Sequence, residues 1–258
     1  MNTRTLKTIK ALAMSGVLAL AACGGGGGSN TATGPSAIAE GLWSGSTSTS
    51  RSVTAIVLDN GSYWFLYSVP RVNAVVAGFI QGTGNAALDG SFSSTDGVDF
   101  NLEGRGINNA TLAASFVARQ SFNGSVSYAS ANPPFTFTSS YNADYDQTPS
   151  LSAIAGSYAG IASVAGGTEA TTITISPQGV MAGTGLTASA CQFVGTAVPR
   201  TKGNLYDLSM VVSGGGACAS GTSAVSGIAY FDSGSKRLYL AALNKSRSNG
   251  LSFVGIKP

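Results

Sequence analysis

Histidine does not occur anywhere in the 258 residues. Its absence removes Ser-His-Asp and Cys-His catalysis, histidine-bearing zinc sites, and the side chain best suited to moving protons near neutral pH. Charge is also scarce, with only 10% of residues Asp, Glu, Lys or Arg. Cysteine is limited to Cys23, Cys191 and Cys218, with no Cys-x-x-Cys, so a dithiol redox motif is absent. Sustained helical periodicity is missing as well. In its place stand short β-branched and aromatic runs punctuated by 35 glycines, the pattern of an all-β chain.

What is present begins with a basic segment (Arg4, Lys7, Lys10) followed by an apolar run from Ala11 to Ala22. The run is too short to cross a bilayer and has the form of a secretory signal with small residues at the cut site. Leu20-Ala21-Ala22-Cys23 resembles the lipobox of bacterial lipoproteins, in which a peptidase cuts before the cysteine and the cysteine carries the lipid. That resemblance implies a signal peptide over 1–22, an acylated Cys23 as membrane partner, and, since Gly24 is not the aspartate that retains such proteins at the inner membrane, an outer-membrane address. Each buried acyl CH₂ contributes about 0.8 kcal/mol, and two or more chains make the anchor stable. Residues 23–37, rich in Gly, Ser and Thr, have the composition of a flexible tether.

Removal of the signal takes away three of the 14 basic residues and leaves 11 against 11 acidic ones. Nucleic acid is therefore excluded as a partner. The halves differ in sign, however: residues 23–149 hold four basic and eight acidic side chains, and residues 150–258 hold seven and three. Such asymmetry points to contacts between the halves or with a charged partner.

The chain also repeats itself. Gly41-Leu42-Trp43-Ser44-Gly45 matches Gly156-Ser157-Tyr158-Ala159-Gly160, and the turn Asp59-Asn60-Gly61 matches Pro177-Gln178-Gly179. Gly82-Thr83-Gly84 similarly matches Gly183-Thr184-Gly185, in contexts with no helix to bind a dinucleotide. Two copies of one β unit are expected, over 38–149 and 150–258. In the second, strands are expected near 156–164, 170–176, 179–187, 190–198, 204–213, 222–232, 236–244 and 250–256; the first offers eight or nine. Asn60-Gly61 and Asn249-Gly250 predict type I′ hairpins, and Ser233-Gly234 a further one, which also accounts for the Ser-x-x-Lys match ending at Lys236. Eight strands joined by short turns close into a small up-and-down, lipocalin-like meander barrel, so the fold expected is two antiparallel barrels in tandem. A short helical turn is expected around Ser150–Ala155.

With Cys23 committed to lipid, Cys191 and Cys218 remain as one pair, and a disulfide in an oxidising compartment is expected. Carboxylate pairs that could serve a glycosidase are Asp96 with Asp99 or Glu103, and Asp144 with Asp146, all in turn-like contexts where Asp bonds its own backbone. Asn142-x-Asp144-x-Asp146 is half of a calcium loop without the following Gly and distal Glu. No cofactor or metal is expected.

Tyr63-Trp64-Phe65-Leu66-Tyr67 is apolar on both alternating faces, whereas a barrel strand needs one. The surplus face packs on the other domain or a long loop, or it forms a contact surface of Tyr63, Trp64, Phe65 and Tyr67 for a protein or cell-wall partner. Lys236, Arg237, Lys245 and Arg247 gather near the C-terminus, as a solvated face, a dock for the acidic first half, or a surface for anionic lipid or a cell-wall polymer.

The plan of lipidated cysteine, tether and tandem β domains resembles bacterial outer-membrane lipoproteins. In architecture alone it is similar to the two-domain, barrel-containing surface lipoproteins that bind host proteins, and that likeness carries over no ligand. The function expected is a non-enzymatic binding or envelope-structural lipoprotein. The alternatives are a periplasmic inhibitor or immunity protein against an envelope enzyme or toxin, and a carboxylate-dependent hydrolase.

Overall fold

The computed structural model describes residues 38–130, 132–164, 167–186, 191–214, 218 and 220–258. The expectations for the signal, Cys23 and the tether lie outside these residues. The strands are β1 (Gly41–Thr47), β2 (Ser52–Val57), β3 (Ser62–Val69), β4 (Val72–Thr83), β5 (Asn85–Ala86), β6 (Ser91–Asn101), β7 (Gly106–Val117), β8 (Ser121–Tyr128) and β9 (Phe135–Tyr141). A 3₁₀ turn (Ala143–Asp146) and the short helix α1 (Leu151–Ile154) follow. The second set is β10 (Gly156–Val164), β11 (Gly167–Ile175), β12 (Val180–Gly185), β13 (Gln192–Pro199), β14 (Leu205–Ser213), β15 (Ser223–Asp232), β16 (Arg237–Leu243) and β17 (Gly250–Ile256).

Each set closes into an eight-stranded antiparallel barrel. In the first, β1 pairs with both β2 and β9, and β4 pairs with β6 from Gly78↔Asn101 to Gln81↔Val98, completing the ring and leaving β5 as a short spur on β6. In the second, β10 through β17 pair in order and β10 closes on β17. Closure leaves no open edge along either ring. Trans pairing at both seams depends on the repeated glycine. A Cβ on Gly45 would collide with the Thr138 carbonyl, and one on Gly160 with the Val254 carbonyl, so any larger residue would push the last strand off the first.

The repeat is structural. Gly61 N–H bonds to the Leu58 carbonyl (3.0 Å) and Gly179 N–H to that of Ser176 (2.9 Å). The two glycines have φ of 79° and 80°, in the left-handed region that favours glycine. Asn60 does not have positive φ, so the turn is not the expected type I′; an ordinary four-residue turn closes first and glycine supplies the reversal after it. The hairpin before Asn249-Gly250 departs likewise, with Arg247 as its left-handed residue (φ 55°) and Gly250 already in β17. The Gly-Thr-Gly match is also not an equivalence: Gly82-Thr83-Gly84 spans the end of β4, whereas Gly183-Thr184-Gly185 lies in β12, the counterpart of β3.

Each barrel is filled. In the first, an aromatic column runs along the axis: Trp43 meets Phe122 (5.6 Å between centroids), Phe122 meets Phe137 (5.6 Å), Phe137 meets Phe65 (4.8 Å), and Phe65 meets Phe135 (6.2 Å). The second holds Tyr158, Ile173, Met181, Phe193, Met210, Leu240 and Phe253 among others, and the Cys191–Cys218 disulfide, expected from the cysteine count, sits at the edge of this core. A third apolar cluster lies between the barrels, where Leu42, Ile56, Trp64, Leu66, Phe79 and Phe100 of the first meet Leu205, Ile228, Tyr230, Leu243 and Val254 of the second. That cluster makes one packed body of the two rings.

Candidate binding site at the mouth of the first barrel

The aromatic run occupies β3 and is buried on both faces. Tyr63, Phe65 and Tyr67 point into the barrel, while Trp64 (7% exposed) and Leu66 join the cluster between the barrels. The surplus apolar face therefore covers the second barrel and offers no exposed contact surface. Tyr67 lines a cavity in the first barrel, and Trp64 lines an open cleft with Ile228 and Leu243.

The basic residues are dispersed. Arg247 reaches across to the first barrel, donating to the Gln81 carbonyl and lying 3.8 Å from Asp96. Arg237 approaches the Tyr239 hydroxyl at 3.4 Å. Lys236 and Lys245 are exposed beyond opposite ends of β16, a strand about 23 Å long at 3.3 Å per residue, too far apart to act as one patch. Basic-to-acidic docking is instead completed by Arg200 and Lys202, 3.3 and 3.5 Å from Asp59, and by the Tyr230 hydroxyl donating to Asp144 (2.7 Å).

The carboxylate pairs do not come together as catalytic pairs. Asp96 accepts from the Thr83 N–H (2.8 Å) and Ser94 hydroxyl (2.9 Å) on the side facing Arg247, whereas Asp99 turns into the barrel. Asp146 accepts from Arg119 and from the Tyr141 hydroxyl, and Asp144 from Tyr230, so the half calcium loop is a 3₁₀ turn capped by Asn142. Among the described residues no cluster of three or more acidic or cysteine side chains could hold a metal ion.

The structure does assemble a polar site that the sequence did not announce. At the end of the first barrel opposite Ile38, the β1–β2 turn, the ends of β3, β6 and β8, and the start of β9 surround a cavity of about 220 Å³. Thr49, Arg51 and Arg105 stand at its rim, Tyr128 and Phe135 form a wall, and Tyr67, Asp99 and Asn101 form its floor. Asp99 is 3% exposed. One of its oxygens accepts from the Tyr67 hydroxyl and the other from that of Tyr128, both at 2.7 Å, and Asn101 Nδ2 donates to Tyr67 Oη at 3.3 Å. Arg51 donates to the Ser68 carbonyl and to Glu103, each at 2.8 Å, and its guanidinium lies 5.4 Å from the centre of the Tyr67 ring.

Burial raises the Asp99 carboxyl above the usual carboxylate value, offset in part by the two tyrosine hydroxyls and the Arg51 charge. Burial and the adjoining carboxylate push the Tyr67 and Tyr128 hydroxyls well up, which keeps both as donors to Asp99 at any physiological pH. The set is thus a fixed polar floor beneath an aromatic wall.

Arg51, Arg105, Tyr128 and Phe135 were not singled out from the sequence. The inward position of Asp99 was hidden by a β-bulge: the register of β6 against β7 shifts between Ser94 and Gly97, so Phe92 and Ser94 face inward on even positions and Asp99 and Asn101 on odd ones. No protein-family model matches the chain, and no similar curated protein was found.

Proposed function

We infer that this is a non-enzymatic binding lipoprotein of the outer membrane, held by acylated Cys23, whose first barrel takes a small ligand at its mouth and whose second barrel is a packed support. The single observation that carries this reading is the hydrogen-bonded polar floor of the first barrel beneath an open cavity. There Tyr67, Asp99 and Tyr128 interrupt the aromatic column, and the second barrel buries Glu169 and Thr171 beside its apolar core. A buried carboxyl is costly to keep for stability alone, so its retention beside a cavity favours recognition. Binding is favoured over hydrolysis because both oxygens of Asp99 already hold donors and Glu103 is paired with Arg51, leaving neither placed as a free acid or nucleophile.

Addition of a small-molecule fragment library to ¹⁵N-labelled residues 38–258 tests the site. Shifts confined to Arg51, Tyr67, Asn101, Tyr128 and their neighbours are expected, and a library that moves none of them overturns the proposal. Anchoring is tested separately: Cys23→Ala should release the protein from the membrane fraction.

A further inference from the structure

We propose that the mouth of the first barrel selects a single sugar-sized ring bearing one anionic group, an acidic monosaccharide. This rests on the binding function proposed above and names its ligand class. Size sets the first limit. A cavity of about 220 Å³ lies below the roughly 300–1,000 Å³ of sites for drug-sized ligands, so the occupant is one ring with its substituents rather than a lipid chain or an oligosaccharide.

The floor sets the second. Each Asp99 oxygen accepts one tyrosine hydroxyl and keeps a further lone pair, and the Tyr128 oxygen retains acceptor capacity. Asn101 Oδ1 is already taken by the backbone N–H groups of Glu103 and Arg105, both at 3.1 Å. The floor therefore offers acceptors and calls for a ligand with donors. A hydrocarbon or plain aromatic ring would strip water from those lone pairs and return nothing, whereas ring hydroxyls replace the lost hydrogen bonds. Phe135 and Tyr128, 6.4 Å apart between centroids, give the C–H face of such a ring an apolar wall.

Charge sets the third. Arg51 is neutralised by Glu103, and the Asp99 charge is held by two hydroxyls below the surface. Arg105 is exposed at the rim and makes no ion pair among the described residues. An anionic substituent directed outward meets Arg105 and stays clear of Asp99; one directed inward meets Asp99. The ligand's acid thus lies at the rim and its hydroxyls at the floor, a polarity that also fixes which way round it binds.

The test titrates labelled protein with three probes: glucuronate, glucose, and cyclohexanecarboxylate. Glucuronate should bind at least tenfold more tightly than either of the others, shifting Arg105, Tyr128 and Asn101 signals. Arg105→Gln, an exposed substitution that leaves the core intact, should reduce glucuronate binding to the level of glucose. Tyr128→Phe, which removes a floor hydroxyl and keeps the wall, should weaken glucuronate and leave cyclohexanecarboxylate unchanged. Equal binding of glucose and glucuronate, or an unaffected Arg105→Gln variant, overturns the assignment. Failure of all three probes while library fragments still shift the mouth overturns this inference alone; failure of probes and fragments together removes the binding function as well.

Discussion

Tyr158 occupies in the second barrel the place that Trp43 occupies in the first, and each ties its own strand to the carbonyl four residues earlier. Trp43 Nε1 donates to Ala39 at 3.2 Å, and Tyr158 Oη to Ile154 at 2.7 Å. Both rings are fully buried, so the repeated Gly-x-aromatic-x-Gly motif is a device that folds the entering segment over the end of its barrel.

Tyr158→Phe keeps the ring and removes the hydroxyl, leaving the Ile154 carbonyl without this donor. A loss of about 1–3 kcal/mol is expected from an unpaired buried acceptor, read from chemical denaturation. No loss would mean that water replaces the hydroxyl there.

Trp64→Ala should destabilise the protein by about 3–5 kcal/mol, because it empties the cluster between the barrels, where Trp64 lies 5.8 Å from Phe79. Ligand shifts at the mouth should persist in the variant under native conditions. A melting temperature equal to that of the parent would show that the barrels do not rest on this side chain.

Asp99 makes stability depend on pH with a defined sign. Its folded value is raised above the ordinary 3.8, so between 3.8 and that raised value the folded state holds a proton the unfolded state has not yet bound. The wild type should gain stability relative to Asp99→Asn as pH falls through the raised value, with the gain levelling off below about 3.8. Paired denaturation curves from pH 7 to pH 3 measure this difference, and a difference constant with pH would place Asp99 in water.

Joining Cys191 to Cys218 closes 27 residues of chain. On the chain-entropy account this contributes roughly 3–4 kcal/mol, so the double substitution to Ala should lower stability by about that amount. Reductant should lower the melting temperature of the wild type and leave the variant unchanged.

Much of the second barrel was legible because its strands follow period-2 patterning between glycine turns. The expected strands at 156–164 and 250–256 match β10 and β17 residue for residue. The first barrel was harder to read. Its β3–β4 hairpin is long and irregular, with register shifts at Tyr67 and Ser68, and the bulge in β6 reverses which residues face inward. Tyr67 and Asp99 were both noticed, one in a run expected either to pack or to form a contact surface and the other in a candidate carboxylate pair. The structure bonds them to each other.

By itself the sequence determined the all-β class, the two copies, their closure into rings and the cysteine pair, because each follows from local alternation, turn chemistry or simple counting. Only the tertiary structure decided that Trp64 covers the second barrel, that Arg247 docks on Asp96, and that Arg51, Tyr67, Asp99, Arg105, Tyr128 and Phe135 share one mouth. Those residues come from six strand ends and turns, and closing a ring brings such ends together through register, which a one-residue bulge resets without any mark in composition.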